Sequence, residues 1–297
     1  MLLRSTMTIG LLATLTACGG GGSSDSDSST PPEVPFTSFS DIPADGVTVI
    51  SGQAVTASYT ADSAGNITSI SPVSGPNPSD LRLTTQNNQG VAVSISAPGS
   101  SVSFDTRLGD TADGDVSEPV VFFETADGED ALLGINEANQ GYEYQTYGAW
   151  VTGYDTGSGT VGAGSYGAKT NASNIPPVGT TADYSGIGLG IARRADGQPY
   201  ATISNVNVTT DFNSATISST GTEAVNLNSG STGAASELDF AGSGSVVGSG
   251  FVAPVSGTGT SGSAQGQFYG PNANEVGGTF ATTGSGDVSH IGSFGGN

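Results

Sequence analysis

Cysteine and histidine, which many enzymes use as nucleophile and as general base, are scarce in this chain of 297 residues. Cys18 is the only cysteine and His290 the only histidine. A Ser-His-Asp triad needs a histidine held between two partners, whereas His290 lies in the glycine-rich last few residues, where we expect a solvated tail residue. Cys18 directly follows an apolar N-terminal stretch, where we expect its thiol to be modified rather than to attack a substrate.

Motifs that carry catalysis are also missing from the sequence. It contains no Gly-x-Ser-x-Gly elbow, no His-Glu-x-x-His pair and no phosphate loop ending in Lys-Ser or Lys-Thr. Gly162, Gly164 and Gly167 spell Gly-x-Gly-x-x-Gly, but no helix-forming segment follows, and a chain with 47 glycines produces such matches by chance. We predict no catalytic residues, no cofactor and no enzymatic activity. Glycoside chemistry by a pair of carboxylates is the remaining enzymatic alternative.

Four carboxylates form the densest acidic cluster of the sequence. They are Asp110, Asp113, Asp115 and Glu118. Alternating carboxylates beside Gly114 could hold Ca²⁺ through oxygen ligands, but their order does not match an EF-hand loop. We therefore expect a solvated acidic loop and predict no metal site, with calcium binding as the alternative.

The N-terminus has the order of residues found in an export signal. Met1–Arg4 supplies one positive charge, Met7–Leu15 is mostly apolar, and two small residues precede Cys18. The apolar segment is too short to cross a bilayer as a helix, which needs about 20 apolar residues. Leu15-Thr16-Ala17-Cys18 resembles the lipobox of bacterial lipoproteins, which implies cleavage before Cys18 and attachment of acyl chains such as palmitate to its thiol. The alternative is an ordinary secretory signal with an incidental cysteine.

Composition then separates a tether from the folded part. We assign residues 1–17 to a lipoprotein signal peptide and residues 18–40 to a lipidated flexible tether, because Gly19–Pro35 is rich in glycine, serine and proline. The net charge of -21 argues against nucleic-acid binding and against adsorption to anionic lipid, since both need basic side chains. We attribute the charge to solubility, with a basic partner as the alternative.

Composition and alternation predict an all-β fold in two domains. The abundant Gly, Ser and Thr disfavour long helices. In the first domain, residues 41–138, we predict short strands at 47–50, 54–59, 67–70, 81–85, 91–96, 102–105, 120–125 and 131–135. The Asp-Gly pair at Asp127-Gly128 predicts a hairpin over Val120–Ile135.

The second domain, residues 139–297, shows the more regular alternation. Val206, Val208 and Phe212 fall on one side of a predicted strand, with polar residues between them. In 182–192 bulky Ile187, Leu189 and Ile191 alternate with glycines, a pattern that favours a strongly curved sheet. Further strands are predicted at 142–152, 160–168, 215–219, 236–240, 245–252, 264–269 and 276–282. We predict an eight-stranded antiparallel barrel closed by pairing of 142–152 with 276–282; a β-sandwich is the alternative.

One segment of this domain resembles a known family. Gly266–Phe280 is similar to the closing hairpin of the barrel domain in transferrin-binding protein B and related surface lipoproteins. The residues of the motif are Phe268, Tyr269, Gly270, Pro271, Glu275, Gly277, Gly278 and Phe280. Pro271 should end the first strand, Asn272–Asn274 should form the turn and Glu275 should accept hydrogen bonds from turn amides. Weaker similarities cover Tyr144–Trp150 and residues 176–186.

The resemblance implies an architecture and a class of function. It implies an N-terminal β handle at 41–138, a C-terminal barrel at 139–297 and a single lobe, since there is one closing motif. It further implies a lipid-anchored protein of the outer-membrane surface that acts as a non-enzymatic receptor for a host or environmental protein, with iron or haem acquisition as one use. No ligand-contacting residue can be carried over from the family. A structural or adhesive surface scaffold is the alternative.

Direct ligation of haem has few candidate ligands. They are His290, Tyr142, Tyr144, Tyr147 and Tyr269. We expect Tyr269, together with Trp150, to lie in the core of the barrel instead.

Overall fold

The computed structural model describes residues 33–115 and 117–297. The predicted signal peptide, Cys18 and most of the predicted tether lie outside the described residues. Two sheets, of eleven and nine strands, contain most of the described chain. In this part of the chain no helix is both long and apolar enough to span a bilayer.

The first sheet is built from the N-terminal strands and two strands of the C-terminal half. Its strands are β1 (Glu33–Pro35), β2 (Gly46–Ala61), β3 (Ile67–Ile70), β4 (Ser74–Gln86), β5 (Gln89–Ala97), β6 (Ser100–Asp105), β7 (Thr111–Asp113), β8 (Val120–Glu124), β9 (Ala131–Ile135), β10 (Gln145–Val151) and β11 (Ser158–Gly167). They lie in the order β6-β5-β4-β2-β11-β10-β9-β8-β7, with β1 and β3 also paired to β2. All pairs except β1–β2 are antiparallel. The only α-helix of the described residues, α1 (Glu137–Gln140), connects β9 to β10.

Strand prediction in the N-terminal half is largely confirmed. The predicted hairpin forms, with Val120 opposite Ile135. The main difference is that 47–50 and 54–59 belong to one continuous strand, β2, because Gly52 does not break it. A side chain at Gly52 would overlap the backbone of Ser165, so this glycine permits close approach of β2 and β11 instead.

Eight strands of the second sheet form a closed antiparallel barrel. The sheet contains β12 (Ala182–Arg193), β13 (Pro199–Thr210), β14 (Ser214–Asn226), β15 (Thr232–Ala234), β16 (Phe240–Val247), β17 (Gly250–Gly257), β18 (Thr260–Tyr269), β19 (Glu275–Gly284) and β20 (Ser289–Gly296). The barrel strands are all of these except β15. Each barrel strand pairs with the next one along the chain, and β20 pairs with β12 to close the barrel, while β15 pairs only with β14. The prediction of an eight-stranded barrel is confirmed.

The predicted closure of this barrel is wrong. The strand near Tyr142–Thr152 is β10, which pairs with β9 and β11 in the first sheet and not with β19. β20 closes the barrel, although its glycine-rich sequence gave no strand signal. β10 and β11 therefore lie in the first sheet although they follow the predicted domain boundary at residue 139, and that boundary stays a prediction.

Aromatic rings fill the barrel. Its core contains six phenylalanines: Phe212, Phe240, Phe251, Phe268, Phe280 and Phe294. Glycines on neighbouring strands make room for them, since a side chain at Gly266 would overlap the ring of Phe251 and one at Gly292 would overlap the ring of Phe280. The predicted faces of β13 are confirmed, with Val206 and Val208 buried in this core and Asn205 and Asn207 exposed.

The outer surface of the barrel packs against the first sheet. Ile191 of β12 and Ile291 of β20 share one hydrophobic cluster with Val55 of β2, Ala149 of β10 and Ala163 of β11. The segregation of bulky residues from glycines in β12 has this origin, because Gly188 and Gly190 lie on the face of the barrel core whereas Ile191 faces the first sheet.

Candidate binding surfaces

The hairpin that carries the family resemblance connects the barrel to the first sheet. Phe268 and Phe280 point into the barrel core. Tyr269 points the opposite way, and its hydroxyl lies 3.0 Å from Ser165 Oγ of β11. Gly270 has φ of 81°, and the turn continues through Pro271, which is exposed. Tyr269 is therefore buried at the junction between the sheets. The expectation that it lies in the barrel core is wrong.

Glu275 is a buried carboxylate at the same junction, with only 3% of its surface exposed. It accepts hydrogen bonds from the backbone N–H groups of Glu143 at 2.7 Å and Tyr144 at 3.2 Å. These amides precede β10, so the prediction that Glu275 would bond to amides of its own turn is wrong. Burial raises the pKa of Glu275 to about 7, because removal from water disfavours the charged form.

Close approach at this junction depends on Gly277, where a side chain would overlap Gln145 Oε1. The neighbouring Gly278 faces the barrel core, where a side chain would meet the ring of Phe294. Gln145 Nε2 donates to the carbonyl of Val276 at 2.9 Å, and Ser293 Oγ donates to the carbonyl of Gly148 at 2.9 Å. The motif residues that lie at the junction thus attach the barrel to the first sheet.

The tyrosines named as candidate haem ligands mostly lie within the protein. Tyr142, Tyr147 and Tyr269 are buried. Burial raises the pKa of Tyr142 and of Tyr269 to about 12, which keeps both hydroxyls protonated at neutral pH. Trp150 is buried in the core of the first sheet, where its indole N–H donates to Ser100 Oγ at 2.8 Å, so its predicted place in the barrel core is wrong.

The predicted position of His290 is wrong. The residue is 1% exposed, lies in β20 and points into the barrel instead of forming part of a solvated tail. Its Nε2 lies 2.9 Å from Thr202 Oγ1, and its ring meets Phe280 edge-on at 4.8 Å. Burial lowers its pKa to about 4, so the ring is neutral at physiological pH. The surrounding glycines indicated a tail, whereas they are strand residues that accommodate aromatic rings.

The acidic cluster orders its own loop. Asp110 accepts hydrogen bonds from the backbone N–H groups of Asp105 at 2.7 Å and Ala126 at 2.9 Å. Asp115 accepts from the backbone N–H of Ser117 at 2.9 Å, and these bonds lower its pKa. Within residues 33–115 and 117–297, no group of three or more His, Cys, Asp or Glu side chains is placed to hold a metal ion.

A cavity of about 300 Å³ lies at the end of the barrel where β12 ends. We call it the mouth cavity, and its lining residues are Arg194, Ala195, Asp196, Glu237, Leu238 and Val288. Leu238 is fully buried and packs with Ala192 and Tyr200, which closes the barrel beneath the cavity. No sequence pattern indicates this site, because its residues come from three separate connections.

The opposite end of the barrel exposes apolar side chains on two connections. Val178 is 70% exposed and Val247 is 79% exposed. Both flank the turn between β13 and β14, because Gly179 N–H donates to the carbonyl of Asp211 and Val246 N–H donates to the carbonyl of Asn213. This end therefore presents a surface that differs chemically from the charged mouth cavity.

Comparison with known proteins gives one family and several similar structures. The family described as the C-lobe and N-lobe beta barrels of Tf-binding protein B matches residues 142–297. No curated protein matches the chain. Among solved structures, a variant of transferrin-binding protein B from Haemophilus parasuis is 10% identical, with 84% of this chain and 76% of that chain covered and a TM-score of 0.43. The haemoglobin receptor HpuA from Kingella denitrificans is 15% identical, with coverages of 90% and 93% and a TM-score of 0.40.

Proposed function

Because the chain belongs to the family of the C-lobe and N-lobe barrels of Tf-binding protein B, we propose that it is a non-enzymatic surface lipoprotein that binds an extracellular protein. The family match over residues 142–297 is the observation that carries this proposal. The match begins in the segment that enters β10 and covers every strand of the barrel. In this proposal the ligand is a host or environmental protein, and iron or haem acquisition is the use we would test first.

The filled interior of the barrel supports a ligand-binding surface on the outside of the molecule. Small ligands occupy concave cavities of roughly 300–1,000 Å³, whereas the barrel core is filled by phenylalanine rings. The connections at the two barrel ends are chemically distinct, one with exposed valines and the other with the charged mouth cavity. A protein ligand can contact surfaces of this kind without entering the barrel.

The experiment that tests binding is a capture of partners by the folded part of the chain. The fragment 33–297 is immobilised through its N-terminus, since the predicted tether also leaves from there, and is exposed to serum and to medium from an iron-starved culture. We expect one specific protein to be retained from one of the two sources. Retention of nothing from either source would contradict the proposed receptor function.

Anchoring through Cys18 is a separate part of the proposal, supported by the resemblance of residues 15–18 to a lipobox. We expect cells supplied with an alkyne analogue of palmitate to label the full-length protein and to leave Cys18→Ala unlabelled. Protease treatment of intact cells should degrade the wild-type protein if it is displayed outside. Equal labelling of both forms would contradict lipidation at Cys18, and full protection from protease would contradict surface display.

A structural or adhesive scaffold is the second candidate function. The exposed large apolar side chains of the described part of the chain are all aliphatic: Val34, Leu108, Val178, Val225, Val247 and Val252. Energetically important residues of protein interfaces are enriched in Trp, Tyr and Arg, so this surface also suits a scaffold. Capture of no partner, together with intact surface display, would favour the scaffold.

A further inference from the structure

We infer that the mouth cavity is a pocket for a lysine or arginine side chain of the captured protein. This inference rests on the proposed function for the origin of that side chain. The size, the charges and the rigidity of the cavity support it in turn.

The size and the lining of the cavity fit a long side chain with a charged end. Its volume of about 300 Å³ is at the lower limit of cavities that hold ligands. Val288 is half-buried and Ala195 is exposed, so both offer apolar surface above the closed floor at Leu238. Lysine and arginine pack their methylene groups on such surfaces while the charged group stays near water.

The ionisable groups of the cavity favour a cation. Arg194 is its only basic residue, and Glu237 already pairs with it at 2.6 Å. Asp196 adds a second carboxylate. Burial raises its pKa, but hydrogen bonds from the Tyr200 hydroxyl and the Gln198 N–H, together with the charge of Arg194, outweigh that effect and lower it. A carboxylate has about four positions for hydrogen bonds, so Asp196 can accept further donors. The chain's net charge of -21 adds to the attraction of cations.

The charged residues of the cavity are held in place by neighbouring groups. The Arg194 guanidinium lies over the ring of Tyr200, 5.0 Å from its centre. The adjacent Arg193 donates to the carbonyls of Ile67, Gly286 and Asp287, and these bonds connect β12 to the first sheet and to the connection before β20. Groups that are ordered before binding lose little entropy when a ligand arrives.

Binding to the cavity can be followed through the single histidine. His290 lies beneath the floor, close enough to the backbone of Leu238 for that backbone to raise the pKa of the ring against the effect of burial. The probes are Nα-acetyl-lysine methylamide and Nα-acetyl-arginine methylamide, added to fragment 33–297 while the His290 ring signals are recorded by NMR. We expect saturable shifts with a Kd of about 1 mM, which corresponds to one anchored side chain. Nα-acetyl-norleucine methylamide, which has the apolar stem without the charge, should cause at most small shifts.

Two variants of the same ion pair should change this affinity in opposite directions. Glu237→Gln removes a carboxylate and frees the Arg194 guanidinium, so we expect the Kd to rise at least fivefold. Arg194→Gln frees the Glu237 carboxylate, so we expect the Kd to fall severalfold. Glu129→Gln, which changes the same charge in an exposed turn of the first sheet, should leave the Kd unchanged. The ion pair is partly exposed and such pairs contribute little to stability, so the variants should fold.

The outcomes separate this inference from the proposed function. Equal shifts with lysine and norleucine probes, or an unchanged Kd in Glu237→Gln, would overturn the inference. Capture of the same partner by wild type and Glu237→Gln with equal affinity would also overturn it while leaving the receptor function intact. Selective binding of the basic probes without any captured partner would support the pocket and contradict the receptor function.

Discussion

His290 and Glu275 are buried ionisable side chains whose pKa values move in opposite directions. The pKa of His290 falls from 6.5 to about 4, and that of Glu275 rises from 4.5 to about 7. Both shifts have burial as their largest cause, because burial favours the neutral form of either group. Their effects on stability therefore oppose each other between about pH 4.5 and pH 6.5.

The contribution of His290 to the free energy of unfolding should decrease as the solution is acidified. The unfolded chain takes up the proton near pH 6.5 and the folded chain only near pH 4, so about 3 kcal/mol is lost across this window. In His290→Gln the dependence due to Glu275 should remain unopposed, so stability should fall as pH rises from about 4.5 to 7. Urea unfolding at several pH values measures this, and an unchanged slope would contradict a buried neutral histidine.

The contribution of Glu275 to the free energy of unfolding should change with pH in the opposite direction. The folded chain retains the carboxyl proton up to about pH 7 and the unfolded chain loses it near pH 4.5, so stability falls by about 3 kcal/mol as pH rises between these values. Glu275→Gln should abolish that loss, because the amide oxygen can still accept the two backbone N–H groups. Greater stability of the variant than of wild type at pH 8 is the expected result, and lower stability at pH 8 would contradict it.

Within the barrel strands, glycines leave the space that aromatic rings of the core occupy. Gly266→Ala would place a methyl group on the ring of Phe251. Overpacking of this kind costs about 1–3 kcal/mol, so we expect Gly266→Ala to lower the free energy of urea unfolding by roughly 2 kcal/mol. Gly233→Ala in β15 is the matched control, because no atom lies within 4 Å of the added group. Equal stability of the two variants would show that the ring moves aside.

Alternation predicted the strands well where large and polar residues take turns, as in β13. It failed in β20, because Ser289–Gly296 has few large side chains and a glycine gives no sign of which face it occupies. His290 was misplaced for the same reason. The mouth cavity could not be predicted at all, since its residues meet only when the strands close.

The sequence also does not show which strands pair with each other. β10 has the aromatic residues expected for the opening strand of a barrel, yet it pairs in the first sheet and its Trp150 lies in that core. Local pattern specifies that a strand forms, whereas its neighbours depend on contacts between distant parts of the chain. The resemblance of Gly266–Phe280 identified the family, which the family match confirms, but it did not give the partners of β10.

The two sheets share a buried interface. Residues of β2, β10 and β11 share a hydrophobic cluster with β12 and β20, and Glu275 bonds to the segment before β10. We expect a single unfolding transition for the whole described part of the chain. Trp150 fluorescence reports on the first sheet and the His290 NMR signals report on the barrel, so their urea midpoints should coincide. Separate midpoints would show that the sheets unfold independently.

The position of β20 at residues 289–296 also has a consequence for biosynthesis. A ribosome makes the chain from its N-terminus, so β12 and β19 must wait, with open edges, for the segment that joins them. Open edges of this kind invite pairing with other chains. A copy that lacked residues 289–296 would have no closing strand, and the edges of β12 and β19 would stay open.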